Sequence, residues 1–187
     1  SPMLVDQLVK GLTDSGANVT NVGCGPTPMI YFANYYLNMD GAIMVTGSHN
    51  PPNHNGFKMI AKDKSFYGKQ INNLKQTIKK NEFESQKGSY KKQSVFNEYI
   101  REMIKNAGDL RPYNIVWDCG NGSSGELILA LVKKIPGNHH VLFSEIDGNF
   151  PNHHPDPVIK SNLETLIMEV KNKKADFGIA FDGDGDR

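Results

Sequence analysis

Apolar stretches of two different lengths alternate along this chain, and that alternation restricts the fold more than any other property of the sequence. Leu4, Leu8 and Leu12 recur at four-residue spacing and predict an amphipathic helix over 1–12, with Gly16 placed to end it. A short strand over 18–22, a helix over 27–37 and a compact apolar strand over 42–45 follow. After a polar loop at 46–56, residues 57–61 read as a strand from which Lys58 projects. The pattern restarts with a helix over 94–105, a strand over 113–117, a Gly-rich turn at 120–125 and a further helix. It ends with a strand over 141–143, a helix over 163–170 and a strand over 176–181. Helical periods exchanging with short apolar runs predict an α/β protein. Each half places its most polar loop just after an apolar strand, where open α/β sheets bind ligands.

The 187 residues have room for two small domains. The expected junction lies within 69–92, where seven lysines sit among polar residues, giving domains over 1–90 and 91–187. We read the lysine run as a solvated helix face and linker and not as an anion site. Hydrophobic residues at 38% and charged residues at 22% are enough to fold and bury a core. A formal charge of +1 lacks the basic excess that nucleic-acid binding needs, so nucleic acid is excluded as an expected partner. Cys24 and Cys119 stand far apart and outside any CxxC spacing, which predicts neither a disulfide framework nor a thiolate zinc site and suits a reducing compartment. No apolar run approaches the ~18 residues of a membrane span and the start does not read as a signal peptide, so a cytoplasmic protein without a membrane partner is expected. Both ends read as cut: no strand precedes the first helix, and Arg187 closes the last motif.

Two loops carry the chemistry. The first, 46–58, packs Ser48, His49, His54, three asparagines, two glycines and Lys58 into 13 positions after a strand. Pro51 and Pro52 stiffen it, while Gly47 and Gly56 permit close approach, so Ser48 is held out toward a partner. Composition alone leaves an ordinary surface turn equally open. The second loop alternates Asp182, Asp184 and Asp186 with glycines and ends on Arg187. Glycines between them can turn three carboxylates onto one point, where repulsion calls for a cation, and oxygen-only ligands select a hard ion such as Mg²⁺. An EF-hand would need a glutamate at its twelfth position and a following helix. A structural Asp/Gly turn stays open. Thr27 before Pro28 reads as a helix start.

The stretch Thr46-Gly-Ser-His-Asn-Pro, followed by Asn55-Gly-Phe-Lys58, resembles the active-site serine loop of the α-D-phosphohexomutases, the phosphomannomutase and phosphoglucomutase family. Asp182-Gly-Asp-Gly-Asp-Arg187 resembles that family's metal loop. Asp118-Cys-Gly-Asn-Gly122 and 147–157 are similar to second-domain segments that we read as mainly structural, a turn and a proline-stiffened loop. The resemblance covers essentially the whole chain and implies two three-layer α/β/α domains with mixed sheets, placed first and second in a four-domain enzyme. It implies Ser48 as a phosphoserine that gives and receives the phosphoryl group, and Lys58 as an aid to proton transfer and a balance of charge. His49 would support the phosphate loop and Arg187 would position phosphate, with Mg²⁺ held by Asp182, Asp184, Asp186 and phosphoserine 48. Hexose phosphate is the implied substrate, and glucose or mannose 1,6-bisphosphate the phosphorylating activator. His54 falls in the variable part of the motif and is left out of the site. The family's sugar-recognition loop and phosphate clamp have no counterpart in these residues, so weak turnover by the chain alone is expected. The rival expectation is a non-catalytic remnant that self-associates through surface the missing domains would cover, or binds a partner carrying them.

Overall fold

The computed structural model describes residues 2–51, 53–62 and 64–187. The expectations that touch Ser1 and Pro52 lie outside the described residues. The chain divides into two compact units that interleave along the sequence: one comprises Ser1–Gly23, Ile30–Thr46 and Gly56–Val95, the other Cys24–Met29, Gly47–Asn55 and Phe96–Arg187. Among the described residues no helix is long and apolar enough to cross a membrane.

The first unit begins with α1 (Pro2–Asp14), in which the leucine spacing produces the expected helix. The Ala17 N–H returns to the Leu12 carbonyl at 3.0 Å and closes its end. Strand β1 (Val19–Asn21) follows, then all but the first turn of α2 (Thr27–Tyr36). Strands β2 (Gly41–Thr46), β3 (Gly56–Ala61) and β4 (Lys64–Ser65) form an antiparallel sheet in that order. Their register pairs Thr46 with Gly56 and Met44 with Lys58. The lysine-rich stretch resolves into α3 (Lys69–Lys80) and a strand, β5 (Tyr90–Lys92), which runs parallel to β1. Strand β5 escapes a hydrophobic reading because all three of its side chains are exposed. Its order comes from main-chain pairing, which leaves no alternation in the sequence.

The second unit contains α4 (Phe96–Asn106), β6 (Tyr113–Asp118), α5 (Gly125–Leu131), β7 (Gly137–Leu142), a 3₁₀ turn (Lys160–Leu163), α6 (Glu164–Asn172) and β8 (Phe177–Ala180). Its sheet is parallel throughout, in the order β7-β6-β8. Strand β7 starts well before the predicted 141–143, because its first four residues, Gly-Asn-His-His, pair with β6 without an apolar signature.

Central strand β6 is buried on both faces, as parallel strands covered by helices must be. Ile115, Trp117 and Cys119 alternate onto one face and pack with Ile128 of α5, with Val141, Ile179 and Phe181 around them. The opposite face presents Val116, fully buried, beside Gly178 in register. A Cβ on Gly178 would sit 2.8 Å from Leu166, so α6 covers this side. Helix, sheet and helix thus form three layers, and the carboxyl ends of β6 and β8 lead directly into Asp118 and Asp182. Burial pushes the Cys119 thiol up to about 12, which keeps it a protonated core group and not a nucleophile.

Ile128 is 3% exposed at the centre of this core. Ile128→Ala is expected to lower unfolding free energy by about 2–5 kcal/mol, through lost burial and a residual cavity. Trp117 is the single tryptophan of the chain, so its fluorescence in a urea titration reads this unit, and an unshifted midpoint would contradict the layered core.

Candidate active site

The last loop is shaped by its own main chain. The Phe181 N–H donates to the Asp118 carbonyl at 2.9 Å, extending the β6–β8 pairing to the point where the loop turns away. The Gly185 N–H donates to the Asp182 carbonyl, and the Asp182 N–H to the Arg187 carbonyl. The Asp182 Oδ1 accepts the N–H groups of Asp186 and Arg187 at 3.0 and 3.1 Å. One carboxylate oxygen therefore closes the loop and leaves the other, Oδ2, directed inward. Asp182 and Asp184 are 0% and 1% exposed, whereas Asp186 is exposed. One carboxylate oxygen from each of the three lies within 4.8 Å of the others.

Ser48 stands against this loop. Its Oγ is 3.0 Å from Asp182 Oδ2, 3.0 Å from Asp184 Oδ1 and 3.1 Å from His49 Nδ1. A hydroxyl has one hydrogen to donate, which cannot serve both carboxylate oxygens. Arg187 Nη2 lies against the same His49 nitrogen. At least one carboxylate oxygen consequently faces Ser48 Oγ without a proton between them. Buried negative oxygens in that relation call for positive charge, and Arg187, whose Nε lies 3.3 Å from Asp182 Oδ2, supplies part of it. The donor set of two buried carboxylates, a third at the rim and a hydroxyl is all oxygen and fits a hard divalent cation.

Backbone, not side chains, brings the loops this close. A Cβ on Gly183 would lie 2.2 Å from the Ser48 carbonyl oxygen, so only glycine allows this approach. The Gly183 carbonyl in turn accepts the Ser123 N–H at 2.9 Å. Ser48 itself has φ +53°, the left-handed region that is unfavourable for a non-glycine residue. Gly47 has the close approach expected of it, since a Cβ there would meet the His54 carbonyl at 2.8 Å.

The structure thus brings Ser48, His49, Asp182, Asp184, Asp186 and Arg187 together. Lys58 belongs to the first unit, half-buried on β3 opposite Met44. His54 is exposed and pairs with Asn53 at 3.0 Å.

Other members were not visible in the sequence. The Thr27 hydroxyl donates to Asp184 Oδ2 at 2.6 Å, so its place extends beyond starting α2. The segment 147–157, read as a stiff loop, contributes Asp156, which accepts from Arg187 Nη1 at 3.2 Å. It also contributes His154, whose ring meets His49 edge-on at 6.3 Å between centroids. No spacing rule signals these contacts, because their partners lie far away in sequence.

His153 anchors that segment from below. Its Nε2 lies 2.9 Å from Asp118 Oδ2, and its Nδ1 lies 3.0 Å from the His154 carbonyl oxygen. With an acceptor at each ring nitrogen the imidazolium is favoured, and the fully buried Asp118 carboxylate raises the His153 pKa despite the opposing effect of burial.

Two outcomes follow from this geometry. Gly183→Ala is expected to destabilise the second unit by about 1–3 kcal/mol, as overpacking against a main-chain oxygen does. A urea midpoint equal to that of the unsubstituted chain would mean that the two loops part freely. The His153–Asp118 pair has a folded-state pKa raised above the unfolded value of about 6.5, so its stabilisation is complete below about pH 6.5 and is lost as pH rises through the folded value. The Tm difference between the unsubstituted chain and His153→Gln should therefore be largest in mild acid and shrink toward alkaline pH. A difference that grows with pH would contradict the assignment.

Comparison with known proteins identifies the family. Residues 1–85 match the family model for phosphoglucomutase/phosphomannomutase alpha/beta/alpha domain I, and residues 95–187 the model for domain II. A phosphomannomutase/phosphoglucomutase of Pseudomonas aeruginosa is 42% identical over 186 residues, covering 100% of this chain and 40% of that protein. A phosphoglucomutase of Neisseria meningitidis is 42% identical over 188 residues, covering 100% and 41%. The crystal structure of a phosphoglucomutase/phosphomannomutase family protein from Burkholderia thailandensis superimposes with a TM-score of 0.93 at 43% identity, over 100% of this chain and 42% of that one. The chain spans about 40% of the length of the curated relatives it matches.

Proposed function

The chain belongs to the phosphoglucomutase/phosphomannomutase family, and from that membership we propose that Ser48 carries the phosphoryl group exchanged between the two ends of a hexose phosphate. One observation supports this reading above all: Ser48 Oγ sits 3.0 Å from an oxygen of each of two buried carboxylates. A structural serine would not be placed where its single proton cannot satisfy its neighbours. The reaction is the interconversion of hexose 6-phosphate and hexose 1-phosphate, with mannose and glucose as the sugars that the relatives' names suggest.

In the forward half, a hydroxyl oxygen of the sugar phosphate bonds to the phosphorus of phosphoserine 48 as the P–Oγ bond breaks. Lys58 takes the proton that the hydroxyl gives up, and its ammonium then balances charge at the new phosphate. The product is a sugar bisphosphate. The second half reverses these steps at the other end of the sugar: Ser48 Oγ bonds to that phosphorus, the P–O bond to the sugar breaks, and Lys58 returns its proton to the freed sugar oxygen, which becomes the hydroxyl.

Asp182, Asp184 and Asp186 would hold Mg²⁺, which supplies Lewis-acid neutralisation of the moving phosphoryl oxygens. Arg187 is steadied by Asp182 and Asp156 and donates to His49, so it offers an oriented guanidinium for phosphate oxygens beside Ser48. The left-handed Ser48 backbone holds the nucleophile before substrate arrives, so orientation is already set.

Intact and peptide mass spectrometry, before and after incubation with glucose 1,6-bisphosphate and Mg²⁺, tests the proposal. One phosphate mapping to Ser48, and absent from Ser48→Ala, is the expected result. A chain that remains unmodified and binds no Mg²⁺ by calorimetry sinks it.

A further inference from the structure

Asp184 is fastened at two points by one residue of a distant turn. The Thr27 N–H donates to the Asp184 carbonyl at 2.7 Å, and the Thr27 hydroxyl donates to Asp184 Oδ2 at 2.6 Å. Thr27 is 0% exposed and Asp184 1%. As the first residue of α2, Thr27 has a main-chain N–H with no acceptor inside the helix, which makes it available to the Asp184 carbonyl. Pro28 next to it has no N–H to compete.

The consequence lies in how the Asp184 carboxylate is divided. Oδ2 is bound to Thr27 and Oδ1 lies 3.0 Å from Ser48 Oγ. With its far oxygen tied, the carboxylate plane is fixed and Oδ1 is directed at the nucleophile. The bond restrains the terminal torsion of Asp184, a kind of torsion that is broad by itself. It also supplies a donor to the buried Oδ2.

We propose that Thr27 is a positioning residue for Asp184, and that its hydroxyl sets the affinity of the site for a divalent cation. The inference rests on the metal reading of Asp182, Asp184 and Asp186 given above, and extends it to a residue outside both motif loops. Partners that orient a metal-ligating carboxylate are worth roughly 10- to 100-fold in metal affinity. Thr27→Val keeps the shape of the side chain and removes only the donor, whereas Thr27→Ser keeps the donor and removes a methyl.

Calorimetric titration of the 187-residue chain with MgCl₂ alone provides the test, with mass-spectrometric phosphorylation of Ser48 as a second readout. Thr27→Val is expected to bind Mg²⁺ roughly 10- to 100-fold more weakly, with Thr27→Ser within a few-fold of the unsubstituted chain. If Val and Ser bind alike, the hydroxyl does not position Asp184 and the proposal is overturned. If Thr27→Val does not fold by circular dichroism, Thr27→Cys replaces it, because a thiol is only a weak donor. A Cys variant that binds Mg²⁺ as tightly as the Ser variant overturns the proposal equally. An unsubstituted chain with no affinity for Mg²⁺ would instead fail at the metal reading itself.

Discussion

Two carboxylates withdrawn from water beside one serine hydroxyl are the constraint on which the second unit is organised. Each charge gives up solvation on burial, and nearness to the other adds repulsion. The chain offsets this locally. Main-chain N–H groups of Asp186 and Arg187 satisfy one oxygen of Asp182, Thr27 satisfies one of Asp184, and the Arg187 guanidinium donates to the other oxygen of Asp182. The phosphate proposed for Ser48 would make the arrangement more demanding, since a phosphoserine adds roughly 1.5 to 2 negative charges at neutral pH. Such a phosphate would be tolerable here only beside added positive charge.

Steric interlock supplies what electrostatics alone would oppose. Ser48 occupies a left-handed conformation, and its carbonyl meets Gly183 at a distance that excludes any side chain. The strain at Ser48 is thus held by a contact with the backbone of the acidic loop. Neighbours that over-determine a residue allow an unfavourable backbone angle to persist.

What the sequence made legible was local. Helical spacing of leucines located α1, and short apolar runs located β2, β6 and β8 to within a residue or two. The two motif loops stood out because their chemistry is concentrated in adjacent positions, although composition left 46–58 equally open to a surface turn and the family resemblance decided its reading. Strand β5 and the first four residues of β7 were not, because their order derives from main-chain pairing between polar residues. Thr27, Asp156 and the Asp118–His153 pair share another cause. Each joins residues far apart in the chain through hydrogen bonds or an ion pair, and neither Thr-Pro nor Asp-Pro looks different for having such a partner.

These missed residues make the proline-rich segment 147–157 more than a connector. Pro155 is fully buried, and the metal loop lies against it at Gly183, where a Cβ would come within 3.5 Å of the proline ring. His153 ties the segment to the end of β6, Asp156 reaches Arg187, and His154 borders His49. A proline ring cannot rotate as a flexible side chain does, so it passes the position of the sheet to the loop with little slack. The carboxyl end of the central strand thereby sets the carboxylates and the guanidinium together. A phosphoryl group would then meet charges whose mutual geometry is fixed by the core and not by the substrate, which is the condition under which electrostatic stabilisation needs no reorganisation at the moment of transfer.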